Sequence, residues 1–189
     1  MPERILEAGW EVLATHGFDN FTYDRISRHA HIGKVTIYNR FPSKAEFLAA
    51  LLKFKVNQRR VSILAIGARL PMIEAFCKRA VAVVEILLSP EGMMLERLVD
   101  WCDQEFEADE INYRHAMYED SLVHIEAELR QAVLEQGLAI RDVPLAARFW
   151  LEGLIGHVRF IGNVRAFNRE ETERWARSYS EFFFSALRS

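Results

Sequence analysis

The stretch that most limits what this chain can become runs from Phe21 to Lys44, FTYDRISRHAHIGKVTIYNRFPSK. Thr22 stands where a helix N-cap would stand, and Asp24 follows in the first turn, where negative charge suits the helix dipole. Ile26 and Ala30 lie one helical turn apart and can share an inward face. His31-Ile32-Gly33 then breaks the pattern. A second short helix, Lys34 to about Arg40, carries Val35 and Ile37 for packing and leaves Lys34, Thr36, Tyr38, Asn39 and Arg40 outside. Two short helices across such a turn form a helix-turn-helix, in which the first helix braces and the second enters a DNA major groove.

The flanking sequence supplies helices to hold that unit. Ile5, Ala8, Gly9, Val12, Leu13 and His16 recur at helical spacing, which predicts a helix over residues 3–16 ending at a left-handed Gly17. Phe18 and Phe21 are expected to plug the core of a three-helix unit. Ser43 and Glu46 have capping-box spacing, each side chain satisfying the other's backbone amide, and open a long helix through Phe47, Leu48, Leu51 and Leu52 to about Ile66. Gly67 and Pro71 mark a boundary, giving domains 1–67 and 68–189.

The remainder shows no sustained period-2 alternation and reads as helices only. Residues 71–88 are apolar on nearly every side, which predicts a central rod buried all round. Ser89-Pro90 opens a helix over about 90–104, and an acidic connector, Glu105 to Glu110, leads to a long helix ending at Gly137. Asp142-Val143-Pro144 starts the next, and Asn168 with Glu171 caps the last. The fold class is therefore all-α: an N-terminal three-helix domain with a helix-turn-helix, then a larger helical domain. The last two helices carry Phe149, Trp150, Val158, Trp175, Tyr179, Phe182 and Phe183, more apolar surface than one small domain is expected to bury. They predict a two-fold homodimer through a four-helix bundle, burying on the order of 2,000 Å² or more. The alternative is that these aromatics close the monomer's own core.

Charge is unevenly spread. The net charge is −3, but residues 1–60 hold ten Lys/Arg against six Asp/Glu, and the rest fourteen against twenty-one. A basic front on an acidic body fits an electrostatic footprint confined to one end. Cys77 and Cys102 form neither a Cys-x-x-Cys motif nor a disulfide framework, so a reduced, cytoplasmic setting is the default. The charged N-terminus does not read as a signal peptide, and the apolar runs are too short to span a bilayer.

The motif residues resemble those of the tetracycline-repressor (TetR) family of transcriptional regulators. The resemblance covers about residues 4–52 without gaps, through Ile5-Leu6-x-Ala8, Gly17-Phe18, Thr22, Ile26, Ala30-His31-Ile32, Thr36-Ile37-Tyr38, Phe41 and Ser43-Lys44. More faintly, Leu88–Glu91, Leu129–Gly137 and Phe149–Gly153 resemble the AefR-like C-terminal domain of that family. Three positions depart from the family pattern: His31 where glycine is usual at the turn, Gly33 where serine or a similar cap is usual, and Val35 where a small residue is common. The resemblance implies a DNA-binding repressor, not an enzyme, with no cofactor, released from a pseudo-palindromic duplex operator by a small apolar or amphipathic ligand. It implies that Thr22, Thr36, Tyr38 and Lys44 hold phosphates, which positions the protein without reading sequence. Lys34, Asn39 and Gly33 are the candidates for base edges, and Arg28 and Arg40 for the backbone. In a dimer the half-sites would sit about 34–36 Å apart.

The second domain should sense the effector. Phe76, Met93, Met94, Trp101, Met117, Tyr118, His124, Phe149 and His157 are soft or aromatic and can line a pocket, although at helical spacing such residues also make plain core. Two rivals remain. A metal-responsive member of the same family would draw on His115 with Glu119 or His124 with Glu128 at i,i+4. A helical bundle without DNA contact would leave the Thr36/Tyr38/Lys44 register without a purpose. An enzyme is disfavoured, because Glu-x-x-His, His-Glu-x-x-His, Gly-x-Ser-x-Gly and P-loop motifs are all missing.

Overall fold

A computed structural model describes residues 2–67, 69–106, 112–137, 139–164 and 168–187. Among them every regular element is an α-helix: α1 Pro2–His16, α2 Tyr23–Ala30, α3 Lys34–Arg40, α4 Lys44–Ala65, α5 Met72–Leu88, α6 Pro90–Glu105, α7 Tyr113–Gln136, α8 Val143–Val164 and α9 Arg169–Ala186. The local signals explain most boundaries. Gly17 and Gly137 take φ of 72° and 65° behind α1 and α7. Pro90 is the first residue of α6, and the Ser89 hydroxyl accepts from the Gly92 amide at 2.9 Å. Asp142 and Asn168 accept from the amides of Leu145 and Glu171 at 3.0 and 3.1 Å. Residues 107–110 of the acidic connector lie outside the described residues. No helix among the described residues is long and apolar enough to cross a membrane.

The helices gather into two compact units, Met1–Arg59 with Met93–Arg114, and Arg60–Gly92 with His115–Ser189. Most of α6 thus packs with the N-terminal helices. Trp101 stacks on Phe18 with ring centroids 6.1 Å apart, and Leu95, Leu98, Val99 and Cys102 are buried. A split after residue 67 is a proposed division of labour, not the grouping by contact.

In the first unit the core is Ile5 and Leu13 of α1, Ile26 of α2, Ile37 of α3 and Phe47, Leu48, Leu51 and Leu52 of α4. Phe47 is its hub, with Phe21 at 5.3 Å and Phe41 at 4.6 Å. α1 crosses this ring at Gly9, where an added Cβ would lie 2.7 Å from Phe47 Cζ. Phe21 is buried as expected, whereas Phe18 is half-buried against Trp101.

In the second unit α5 packs against α9 and α8. The expectation that residues 71–88 are buried all round is corrected. Ala75, Phe76, Ala80, Val81 and Val84 are buried, but the other flank is half-exposed and carries Glu74 and Lys78 to solvent. Residue hydrophobicity says that a face can be buried, not that a neighbour is present to bury it. Trp150 sits at the centre, 4.9 Å from Phe76, 4.8 Å from Tyr179 and 5.2 Å from Phe183. Charged clamps fix the end of α4: Arg60 meets both oxygens of Asp120 at 3.0 and 2.9 Å. Arg79 donates to the carbonyls of Ile66 and Leu64 at 2.8 and 3.2 Å and pairs with Glu128.

Candidate nucleic-acid interface

The turn between α2 and α3 is built by backbone conformation and one hydroxyl. His31 adopts φ 53°, ψ 44°, the left-handed region, which histidine tolerates better than most residues. Ser27 closes the turn: its carbonyl accepts from the Ile32 amide at 3.2 Å, and its hydroxyl donates to the Ile32 carbonyl at 2.7 Å. Arg4 of α1 donates to the Ala30 carbonyl at 3.2 Å, so the end of α2 is also capped from outside. Gly33 then starts α3 in extended backbone, φ −60°, with open space around it.

The other end of α3 is tied by Tyr23. Its buried hydroxyl lies 2.7 Å from both the Phe41 and the Ser43 carbonyl, with one proton to share between them. Burial, helped by the neighbouring Tyr38 and Glu46, pushes its pKa up to about 12, so the donor is present at neutral pH. Lys44 donates to the Phe18 carbonyl at 2.6 Å, joining α4 to the loop before α2. At the start of α4 the Ser43 hydroxyl accepts from the Glu46 amide at 3.1 Å. The Glu46 carboxylate accepts from that same hydroxyl at 3.0 Å, so only half of the expected reciprocal box is seen.

These tethers leave a solvent-facing surface. Thr22, Arg28, Gly33, Lys34, Thr36, Asn39 and Arg40 are exposed, and so is Tyr38, whose ring meets Tyr23 edge-on at 4.5 Å. Lys44 is half-buried. Thr22 occupies the N-cap position of α2, but its side chain makes no capping bond. Ile37 is the buried residue of α3 and is fully sealed, while Val35 is 72% exposed. The expected packing role of Val35 is thus corrected: residues two apart on a helix point about 200° from each other and cannot share a face. Tyr23, Ser27 and Arg4 were not singled out by sequence. Tyr23 takes the first-residue slot of α2 as an apolar residue would, and neither Ser27 nor Arg4 has a distinguishing spacing.

The other candidate residues do not converge on one place. Met93, Met94 and Trp101 belong to the first unit, with Met93 exposed. In the second unit Phe76 is sealed against Trp150 and Phe184, and Phe149 is 63% exposed. Met117, Tyr118, His124 and His157 are half-buried. The Tyr118 hydroxyl donates to Glu152 at 2.6 Å, His124 Nδ1 lies 2.7 Å from the Asp120 carbonyl, and His157 stacks on Trp175. Glu128 is engaged by Arg79, and His115 lies 4.0 Å from Glu119. Among the described residues no group of three His, Cys, Asp or Glu is placed to hold a metal ion. Of the residues expected at a dimer interface, Trp150, Val158 and Phe183 are buried in the protomer's own core. Trp175 and Tyr179 are half-buried and stack on each other at 4.9 Å, and Phe182 is 73% exposed.

The braced helix-turn-helix thus presents hydroxyls, an amide and cations to solvent on a helical scaffold. Residues 5–51 match the family described as bacterial regulatory proteins, tetR family. The DNA-binding transcriptional repressor TetR of Mycobacteroides abscessus is 40% identical over 48 residues, 25% of each chain. An uncharacterized HTH-type transcriptional regulator of Mycobacterium bovis is 39% identical over 46 residues, 24% of this chain and 23% of its own. The match thus spans about a quarter of the length of these curated relatives. A crystal structure from Mesorhizobium loti assigned to the TetR family superposes with a TM-score of 0.77 at 19% identity, covering 98% of this chain and 95% of that one. A TetR-family regulator from Pectobacterium atrosepticum gives 0.69 at 17%, covering 98% and 93%. Residues 5–51 are thus similar to the tetR-family domain, and the fold of the chain is that of these two solved structures.

Proposed function

We propose that the chain is a cytoplasmic transcriptional repressor that binds a pseudo-palindromic duplex operator as a homodimer and is released by a small apolar or amphipathic molecule. The observation that carries this reading is the disposition of α3. One sealed residue, Ile37, holds it down, and Lys34, Thr36, Tyr38, Asn39 and Arg40 are left for a groove. Thr22, with its hydroxyl unused by the cap, is suited to a phosphate at the N-terminus of α2. Arg28 and Arg40 supply further backbone contacts, and Lys44 keeps N–H groups beyond the one given to Phe18. Lys34, Asn39 and the open Gly33 face the base edges.

Dimerisation is supported by exposed aromatic surface on the last two helices. Phe149 and Phe160 lie three turns apart on α8, hence on one side of it, and are 63% and 65% exposed; Phe182 on α9 is 73% exposed. Large apolar groups left in water on consecutive helices mark a surface that another chain covers. For the effector, the half-buried Met117, Tyr118, His124 and His157 of the second unit are the residues able to meet a ligand, and Phe76 is not, because it is sealed. A ligand would release DNA only through a difference in its affinity for the bound and free conformations.

Unbiased selection of duplex fragments on the purified protein tests the reading. A two-fold-related consensus and a dimeric mass in sedimentation support it. A monomer with no preference among duplexes at physiological salt refutes it.

A further inference from the structure

Lys34 is the first residue of α3, and its ammonium pairs with the carboxylate of Asp24 in the first turn of α2. The two side chains are 52% and 58% exposed, so the pair contributes little to folding. Its position is more informative. It joins the two helices of the candidate interface, where Thr22 and Arg28 of α2 are exposed as well. The neighbouring cations of α2 are engaged elsewhere: Arg28 Nε donates to the Asp24 carbonyl at 3.3 Å, and Arg25 lies 3.3 Å from His16. The carboxylate itself is left to Lys34.

A bare carboxylate on a surface that meets DNA is repelled by the phosphates. Paired with Lys34 it approaches as a net-neutral unit with a donor and an acceptor side by side. An ammonium has three N–H groups, and a carboxylate has lone pairs on two oxygens, so neither is exhausted by the other. In the major groove a G·C pair presents two acceptors, guanine N7 and O6, next to one donor, the cytosine N4 amine. Donor beside acceptor on the protein matches that edge.

We propose that Asp24 is a specificity-determining residue: together with Lys34 it reads one G·C pair in each half-site, Lys34 donating to guanine O6 or N7 and Asp24 accepting from cytosine N4. This rests on the DNA-binding reading above. The experiment compares the full-length protein with D24N and K34Q in duplex selection, followed by titrations of the selected site and its single-pair variants across salt. Wild type should select a G·C pair at one symmetric position per half-site. D24N should lose preference at that same position, by about five- to tenfold or more, as expected for one lost base contact. Its affinity for scrambled duplex should rise, and its slope of log affinity against log salt should steepen by about 1.8 per dimer, one extra phosphate in each half-site, as the freed ammonium groups turn to the backbone. K34Q should lose the same position with a shallower slope. The inference is overturned if wild type selects a site but D24N and K34Q leave its base preferences intact or lose different positions. It is overturned as well if D24N weakens all duplexes equally. Should wild type select no site at all, the DNA-binding reading itself falls.

Discussion

Removing one oxygen, Tyr23→Phe, tests how α3 is held. The ring stays, and with it the contacts to Tyr38 at 4.5 Å and Phe47 at 5.8 Å. What is lost is a buried hydroxyl shared by two carbonyls at 2.7 Å. The Ser43 carbonyl retains the Phe47 amide at 3.0 Å, so the loss falls chiefly on the Phe41 carbonyl at the end of α3. A neutral hydrogen bond is worth about 1 kcal/mol net, and a carbonyl left buried without it adds a similar amount, giving about 1–2 kcal/mol in all. Urea unfolding at fixed protein concentration should show a lower midpoint with an unchanged slope, since a dimer's apparent stability depends on concentration. Amides of the α3–α4 junction should exchange faster by the same free energy. Duplex affinity should fall together with stability, because the end of the reading helix is less firmly placed. A midpoint within about 0.3 kcal/mol of the parent would refute the tether, as that is the scale on which unrelated surface changes scatter.

Other perturbations probe neighbouring features. Gly9→Ala drives a methyl into Phe47, which is fully buried between Phe21 and Phe41 and cannot yield; a loss of about 1–3 kcal/mol is expected in the same assay. Tyr23 and Tyr179 are both pushed up to about 12 from an ordinary 10, so the unfolded chain gives up these protons first. The stability tied to them is full below pH 10 and lost as pH rises through 12, and urea midpoints between pH 9 and 11 should fall less steeply in Tyr23→Phe. Lys44→Ala should cost about 0.5–1.5 kcal/mol for the orphaned Phe18 carbonyl, weaken all duplexes alike and lower the salt slope by about 1.8 per dimer, one phosphate contact per protomer. An unchanged slope would leave Lys44 a structural residue only. Phe149→Lys combined with Phe182→Lys should convert dimer to monomer in sedimentation without loss of helix signal, since both rings face solvent within the protomer.

Legibility from sequence followed how local the deciding physics is. Caps and turns involve neighbours within four residues, and Gly17, Ser43, Pro90, Asn168 and Gly137 all announced helix ends that the structure carries. Amphipathic spacing likewise put Ile26, Ile37 and Phe47 in the core. What failed needed information about a distant partner. Val35 and Ile37 are equally apolar, and only helix phase separates them. Residues 71–88 look buried on every side, yet one flank of α5 is half-exposed. Phe149 and Trp150 are adjacent aromatics, one 63% exposed and the other 4%. Composition marks both as interface candidates, but only the packing of α8 on its neighbours decides which one the protomer keeps. The soft residues proposed for a ligand were chosen by type alone, and type does not bring Trp101 and His157 into the same unit.

The helix-turn-helix adds a physical reason for its arrangement. α3 has seven residues and one sealed side chain, too little for a helix to persist by itself, since isolated helices below about 12–15 residues are marginal in water. Its rigidity must come from its ends. Ser27 and the left-handed His31 fix the entry, the Tyr23 hydroxyl fixes the exit, and Ile37 anchors the middle. Apart from Ile37, which is buried, none of these groups belongs to α3 itself. The exposed Thr36, Asn39 and Arg40 of α3 are not among these anchors, and a change there should alter which duplex is chosen while leaving the melting behaviour within about 0.5 kcal/mol of the parent. Asn39→Ala is the cleanest case, being exposed and not itself one of the anchors. A variant that kept its stability and its affinity for every sequence would show that Asn39 faces water rather than a base.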